Sequence, residues 1–351
     1  MSTKKRLIGI DLFRILLAVF VFVYHAYLNG CSFGILTKFA SKSNLFMIAF
    51  FMLSGYVLCF STANRDELKN SNAYLSYLKK RTLSIMPLYL LVVLLNKIVN
   101  YANIGTILPI FIEIIGLQSF FNTSFLGNTT YTSTWFISCI LVCYIIFPFL
   151  KTIIRKQQKR ILVFVYIILT VFLSYSFFIS YVFGDVDLYH NVFIRAIEFT
   201  MGVIVYFYQA RVIGFTQKKF YLMKSSLIFV LYIIVISTIN SINLKPYIYE
   251  TLNETTSTIA FSVMLLTFSH IDINDSKVIS FLSDISYSFY LSQVIVYDMC
   301  KNIMVEKTLE VTNLVNSNIT RVIVFFVDCF LVSIILHELV EKRFIRIKNR
   351  S

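Results

Sequence analysis

Three ionisable residues lie within the first long apolar stretch of the chain, where a membrane would leave them without water. Asp11, Arg14 and His25 all fall between residues 8 and 29. Arg14 and His25 are eleven residues apart, and a helix turns through about 1100° over that distance, roughly three full turns. The spacing therefore predicts that both side chains lie on one helix face, about 16 Å apart along the axis. Asp11 precedes Arg14 by three residues, which is the spacing of a local ion pair.

Two interpretations of this polar face remain open from the spacing alone. In the first, His25 is an interfacial histidine, and Asp11 and Arg14 form a structural pair. In the second, the face lines a pathway in which His25 acts as a base or a nucleophile near neutral pH. A charge near the bilayer centre costs at least about 2.5–3.5 kcal/mol, so such residues usually face a bundle interior or a water-filled cavity.

The composition of the whole chain is that of a membrane protein. Its 351 residues are 58% hydrophobic and 14% charged, whereas a soluble domain carries roughly 25% charged residues. A helix needs about 20 mostly apolar residues to cross a bilayer. The sequence predicts an all-α polytopic protein with one membrane domain over residues 1–351 and about ten spans. The predicted spans lie near 8–29, 44–62, 83–100, 134–150, 160–183, 191–209, 222–241, 255–271, 279–300 and 321–339.

The stretch 104–121 is apolar but short and interrupted, and we interpret it as a hydrophobic loop or a re-entrant segment. Loop charges support this count. With a cytoplasmic N-terminus, the cytoplasmic segments carry 23 of the 32 Lys and Arg residues, and the outer loops carry five. Because cytoplasmic loops are enriched in Lys and Arg, both termini are predicted to be cytoplasmic. These short basic clusters do not indicate nucleic-acid binding, and the six cysteines show no paired spacing that would predict a metal site.

A series of short motifs runs in order along the chain. Arg14 and His25 form an Arg-x10-His pattern, and the remaining motifs are Phe50–Tyr56, Lys80-Arg81 with Pro87 and Tyr89, Trp135-Phe136 with Tyr144 and Pro148, Arg195-x-x-Glu198-Phe199-x-x-Gly202, Ser286-Tyr287-x-x-Tyr290-Leu291 and Glu341-Lys342-x-Phe344. This series resembles the membrane acyltransferase-3 family of bacterial polysaccharide O-acyltransferases. Ser84, Gln293 and Arg343 depart from it, standing where the family usually has arginine, histidine and proline. The soluble esterase-like domain that is fused to many relatives is not expected here.

The resemblance implies a membrane O-acyltransferase in the plasma membrane of a bacterium. Its donor would be acetyl-CoA, its acceptor an envelope carbohydrate hydroxyl, and no metal would be required; the sequence leaves dimerisation open. With the spacing above, the resemblance marks His25, Arg14 and Asp11 as catalytic, Arg14, Lys80, Arg81 and Arg195 as donor-binding, and Ser54, Trp135, Glu198 and Tyr290 as substrate-binding.

Plainer roles stay open for several of these residues. Arg195 and Glu198 are three residues apart and could form a buried pair. Ser54 is next to Gly55, where close helix packing is expected. Trp135 suits an interfacial aromatic belt as well as a sugar-stacking surface, and Tyr290 suits a structural role. Two other functions also stay open, namely a carbohydrate exporter or flippase and an O-succinyltransferase.

Overall fold

The computed structural model describes residues 6–99, 107–121, 131–157, 188–212, 221–242, 244–271, 276–299 and 318–350, with single positions at 160, 167, 170, 171, 173, 174, 178 and 274. All regular elements in this part of the chain are helices, and it contains no strand.

Twelve helices with the following bounds form the described fold. They are α1 (Ile8–Leu28), α2 (Phe46–Ser61), α3 (Ser71–Val99), α4 (Ile107–Ile114), α5 (Tyr131–Lys156), α6 (Val192–Val212), α7 (Tyr221–Ser241), α8 (Pro246–Phe268), α9 (Lys277–Asp284), α10 (Ser286–Gln293), α11 (Asn318–Leu336) and α12 (Lys342–Arg350). π-helical turns cover Val294–Met299 and His337–Glu341. Short helical turns occur at Gly34–Leu36, Thr37–Ala40, Ser43–Leu45, Gln118–Phe120 and Leu188–His190.

Six helical segments of the described chain are long and apolar enough to cross a membrane. They are Ile8–Leu28, Ser43–Ser61, Ser71–Ile98, Thr134–Lys156, Val192–Gln209 and Asn318–Ile347. They coincide with the predicted spans near 8–29, 44–62, 83–100, 134–150, 191–209 and 321–339. Helix α7 adds a shorter apolar segment, Ser226–Ser241. The predicted span 160–183 lies outside the described residues apart from single positions, so the total of ten spans stays a prediction.

Some boundaries differ from the predicted ones for identifiable reasons. Helix α3 begins at Ser71, because the polar turns before residue 83 are also helical and hydropathy alone does not mark them. Helix α8 likewise begins early, at Pro246 in its first turn. The prediction of one helix over 279–300 is wrong, since α9 ends at Asp284, α10 begins at Ser286, and a π-helical turn follows from Val294.

The stretch 104–121 contains helix α4, which has eight residues and ends before a turn at Gly116 with φ +73°. Eight helical residues extend about 12 Å, which is less than half of a bilayer core. Helix α4 is therefore too short to cross a membrane by itself, in keeping with a loop or a re-entrant segment.

The chain packs into two compact units. Unit 1 contains residues 1–17, 45–66 and 146–283, and unit 2 contains residues 18–44, 67–145 and 284–351. In unit 1, α2 packs against α6 and α8, and α7 packs against α8. In unit 2, α10 packs against α11, and α3 packs against α10 and α12. The predicted assignment of the whole chain to one membrane domain stays a prediction.

Helices α2 and α6 of unit 1 approach each other too closely for a side chain at the crossing. A Cβ atom on Gly202 would collide with the Met52 carbonyl oxygen, and one on Gly55 would collide with the Phe199 carbonyl oxygen. Small residues at such crossings let helix backbones meet without the hydrophobic driving force that water supplies. Gly55 and Gly202 therefore allow a close helix crossing in unit 1.

We expect Gly202→Ala to destabilise the protein, because the new methyl group would push α2 and α6 apart. Overpacking of this kind costs about 1–3 kcal/mol. The measurement is the thermal unfolding midpoint of purified protein in detergent. Val230→Ala is the control, since Val230 is half exposed on α7, and its midpoint should stay near that of the wild type. Equal midpoints for Gly202→Ala and the wild type would contradict the close crossing.

Candidate functional site

Asp11 and Arg14 belong to a hydrogen-bonded cluster in unit 1. The buried Asp11 carboxylate accepts hydrogen bonds from Arg6 Nε at 3.0 Å and from Ser283 Oγ at 2.6 Å. The half-buried Arg14 donates from Nη1 to the same Ser283 Oγ at 3.2 Å. Ser283, from α9, thus links the two residues that the sequence places one turn apart on α1. Asp11 helps to hold Arg14 in place through this serine.

His25 lies near the end of α1, in unit 2, among aromatic rings. Its imidazole packs edge-on against Tyr290 of α10 with ring centroids 6.4 Å apart, and against Tyr24 at 5.8 Å. Phe136 of α5 contacts the other side of this group, 5.5 Å from Tyr290. Among the residues that the structure describes, neither imidazole nitrogen of His25 has a hydrogen-bond partner.

Arg81 and Lys80 lie on α3 in unit 2. The Arg81 guanidinium stacks over the Tyr77 ring, 5.7 Å from its centroid. Its Nε atom is buried and has no hydrogen-bond partner in the described part of the chain. Ser84, at the position where relatives have a second arginine, turns its hydroxyl back to the Lys80 carbonyl oxygen at 2.7 Å. Within the described residues, this face of α3 therefore keeps one cationic donor without a hydrogen-bond partner.

Arg195 and Glu198 form a fully buried ion cluster in unit 1. Arg195 Nη1 contacts both oxygens of Glu198 at 2.7 Å, and Nη2 contacts Glu254 Oε1 at 2.9 Å. Arg195 Nε donates to the Tyr189 carbonyl oxygen at 2.9 Å, and Arg195 and Glu198 are both 0% exposed. One cation thus joins α6, α8 and the turn before α6. This geometry favours a structural pair over contact with a substrate.

The other predicted substrate residues have local roles in the described structure. Ser54 donates its hydroxyl hydrogen to the Phe50 carbonyl oxygen of its own helix at 2.8 Å. Trp135 is buried at the start of α5, and its carbonyl oxygen accepts a hydrogen bond from Ser119 Oγ at 2.9 Å. Tyr290 is buried between His25 and Phe136.

The structure brings together three pairs among the predicted residues, Asp11 with Arg14, Arg195 with Glu198, and His25 with Tyr290. Sequence reasoning missed Arg6, Ser283 and Glu254. Glu254 had a signal, since it stands in a polar run within α8, but Ser283 had none, because it is 272 residues from Asp11. In the described part of the chain, no three His, Cys, Asp or Glu side chains are placed to hold a metal ion.

Comparison with known families decides the class of the protein. A family profile described as an acyltransferase domain, of the acyltransferase-3 type, matches residues 7–338. The chain belongs to the acyltransferase-3 family. The match confirms the resemblance that the ordered motifs carry, and with the apolar helices it makes the chain a multi-pass membrane protein of an acyltransferase family. Comparisons with curated proteins and with solved structures gave no match.

We expect Arg195→Met to lower the yield of folded protein severely, because it would leave Glu198 and Glu254 buried without their cation. Breaking a buried ion pair in this way costs about 3–5 kcal/mol. Glu254→Gln should be tolerated, since the amide oxygen still accepts a hydrogen bond from Arg195. Size-exclusion chromatography of detergent-solubilised protein measures the folded fraction. Normal folding of Arg195→Met with loss of acyl transfer would instead assign Arg195 to the site.

Proposed function

We propose that this acyltransferase transfers an acetyl group from cytoplasmic acetyl-CoA to a hydroxyl of a cell-envelope polysaccharide or glycolipid, in the plasma membrane of a bacterium. The observation that carries the proposal is His25. It lies in a membrane-length helix of an acyltransferase family member, with both imidazole nitrogens unpartnered within the described residues. A histidine in that state can accept the proton of an incoming hydroxyl.

The proposed topology has ten spans and cytoplasmic termini. The first span then enters from the cytoplasm near residue 8, with Arg14 about 9 Å and His25 about 25 Å along it. Lys80 and Arg81 lie before the apolar part of the third span and so face the cytoplasm. Arg195 lies near the outer end of its span, away from cytoplasmic CoA. With its buried carboxylate partners, this position weighs against the predicted donor contact.

Phosphate groups of the donor would bind at the cytoplasmic end of α3 in unit 2, and the donor contact predicted for Arg14 stays a prediction. Arginine suits this role because its planar fork donates several hydrogen bonds to phosphate oxygens. The Arg81 Nε atom has no protein partner in the described structure, and Lys80 adds a second positive charge. The pantetheine arm of the donor would then extend into the membrane and deliver its thioester to His25.

The transfer requires one proton to move and one bond to be exchanged. His25 takes the proton from the acceptor hydroxyl, and the oxygen attacks the thioester carbonyl carbon. The tetrahedral intermediate collapses, the carbon–sulfur bond breaks, and the CoA sulfur takes the proton from the imidazolium. The products are the acetyl ester and CoA. A variant route, in which His25 first carries the acetyl group on nitrogen, gives the same products.

The ring contacts of His25 favour acetyl over succinyl transfer. Its ring neighbours are Tyr24 and Tyr290, which are neutral. A succinyl group would bring a carboxylate next to the thioester, and a buried carboxylate needs a cationic partner. We therefore propose acetyl as the transferred group, and comparison of acetyl-CoA with succinyl-CoA in the same assay tests it.

His25→Ala should abolish acetyl transfer while leaving the protein folded and inserted. General acid–base catalysis contributes about 10²–10⁴-fold to a rate, so transfer should fall at least a hundredfold. Mass spectrometry of envelope glycan from a strain that carries the variant measures the loss. The matched control is His270→Ala, whose histidine bonds the Leu266 carbonyl oxygen at the end of α8. Intact, unacetylated polymer supports the enzyme, whereas loss of surface polymer with retained acetylation would indicate an exporter.

Arg81→Gln should weaken donor binding without stopping the chemical step. A hydrogen bond to a charged group contributes about 1.5–3 kcal/mol, so the KM for acetyl-CoA should rise at least about tenfold while kcat changes little. Lys69→Gln removes the same charge from an exposed position and serves as the control. An unchanged KM, or a loss confined to kcat, would remove Arg81 from the donor site.

A further inference from the structure

A buried polar cluster surrounds the short helix α4 in unit 2. Glu113, in α4, is only 1% exposed, and its Oε2 atom forms an ion pair with Lys97 Nζ at 2.7 Å. The Tyr89 hydroxyl donates to the Glu113 carbonyl oxygen. Gln118 donates from Nε2 to the Tyr89 hydroxyl at 3.2 Å and to the Thr134 carbonyl oxygen at 2.9 Å. These bonds fasten the segment 107–121 to α3 and α5.

Two acceptor atoms of this cluster are left without donors. Within the described residues, neither Glu113 Oε1 nor Gln118 Oε1 accepts a hydrogen bond of normal geometry, and both side chains are only 1% exposed; the Thr134 side chain is the nearest neutral donor to the Glu113 carboxylate. A buried polar atom that lacks its hydrogen bond costs about 1–3 kcal/mol. Lys97 already balances the Glu113 charge, so the missing partners are neutral donors rather than a cation.

The outer face of the same segment is apolar. Leu108, Phe111 and Ile114 are 55%, 57% and 42% exposed. A segment with polar residues inside and apolar residues outside suits a lipid surround rather than water. The polar side of this segment therefore faces the protein interior.

Hydrogen bonds and ring contacts lead from this cluster to His25. Ser119, next to Gln118, donates from Oγ to the Trp135 carbonyl oxygen at the start of α5. The next residue along α5, Phe136, contacts Tyr290, which in turn contacts His25. The cluster thus braces the same turn of α5 that packs around His25.

We propose that Glu113 and Gln118 form the subsite that binds the hydroxyl groups of the carbohydrate acceptor. The proposal rests on the proposed function and names where the acceptor is recognised. Free acceptor oxygens select a molecule that brings hydroxyl donors, and an aromatic residue such as Trp135 suits the apolar face of a sugar ring. An anionic ligand would not fit this subsite, because its oxygens carry no hydrogen to donate to the Glu113 and Gln118 oxygens.

Trp135 allows binding at this subsite to be measured apart from catalysis. It is the single tryptophan of the chain, so indole fluorescence reports this turn of α5. Purified full-length protein in lipid nanodiscs is titrated with N-acetylglucosamine, glucose and galactose, without acetyl-CoA. We expect at least one of these sugars to change the emission saturably. No saturable change with any of them, in a preparation that still acetylates envelope glycan, would overturn the subsite and leave the transferase standing.

Glu113→Gln should raise the apparent Kd for the binding sugar about fivefold, since the amide oxygen still accepts a hydrogen bond but a weaker one than the charged carboxylate does. Glu338→Gln is the matched control, because Glu338 is exposed and pairs with Lys342. If Glu113→Gln fails to fold, Glu113→Asp is tested instead. It keeps the negative charge that pairs with Lys97, but its shorter side chain moves the acceptor oxygens away from the sugar hydroxyl. The same rise in the apparent Kd is expected. A folded variant with wild-type affinity would contradict the proposal.

The His25→Ala variant separates the subsite from the chemistry. We expect it to lose acetyl transfer while its sugar affinity stays unchanged. Retained transfer in that variant would overturn the proposed chemistry instead.

Discussion

Lipid offers no hydrogen bonds, so polar groups that enter a membrane must find partners inside the protein. Much of this chain obeys that constraint. The buried Lys151 amine donates to the carbonyl oxygens of Thr62 and Arg65 at 2.6 and 2.8 Å, where α2 ends. Arg195 donates hydrogen bonds to the carboxylates of Glu198 and Glu254 and to the Tyr189 carbonyl oxygen. Against that background the groups without partners are informative. The His25 imidazole, Arg81 Nε and the Oε1 atoms of Glu113 and Gln118 are such groups within the described residues.

Within each unit, the partnered and unpartnered groups are distributed differently. The charges of unit 1 largely hold helices together, and the close crossing at Gly202 leaves no room for a ligand there. Thr251 Oγ1, Asn253 Oδ1 and Glu254 Oε2 are exceptions, since they lack a hydrogen bond within the described residues; the other oxygen of Glu254 is bound to Arg195. In unit 2, the described groups without a hydrogen bond include a cationic donor, Arg81 Nε, a titratable ring, that of His25, and several acceptor oxygens, among them those of Glu113, Gln118, Gln293 and Asp328. A transferase needs these three kinds of group for a phosphorylated donor, a proton transfer and a hydroxyl-bearing acceptor.

Hydropathy and spacing predicted the parts of the fold that depend on local sequence. The spans near 8–29 and 44–62 are mostly apolar, so their helices end within a few residues of the predicted bounds. The break at Ile285 was missed because no proline or glycine marks it. The spacing of Asp11 and Arg14 correctly placed them one turn apart. It did not reveal Ser283, because this residue contacts Asp11 from a position 272 residues further along the chain. Glu113 had a local signal, as the only acidic residue in an apolar stretch, but its ion pair with Lys97 is tertiary.

The surroundings of His25 bear on which donor it can serve. In serine hydrolases a carboxylate orients the histidine and stabilises its charged form, and no such carboxylate contacts His25 in the part of the chain that the structure describes. An imidazole without a carboxylate partner receives no help in stabilising its charged form, so the proposed reaction needs a donor whose leaving group departs readily. A thioester meets that condition, because a thiol with a pKa of about 8.5 leaves far more readily than an alcohol or an amine. In the proposed reaction, other groups would then hold the acceptor hydroxyl against the imidazole, since correct positioning lowers the demand on base strength. A histidine without a carboxylate therefore suits a thioester donor and an acceptor fixed by its remaining hydroxyls.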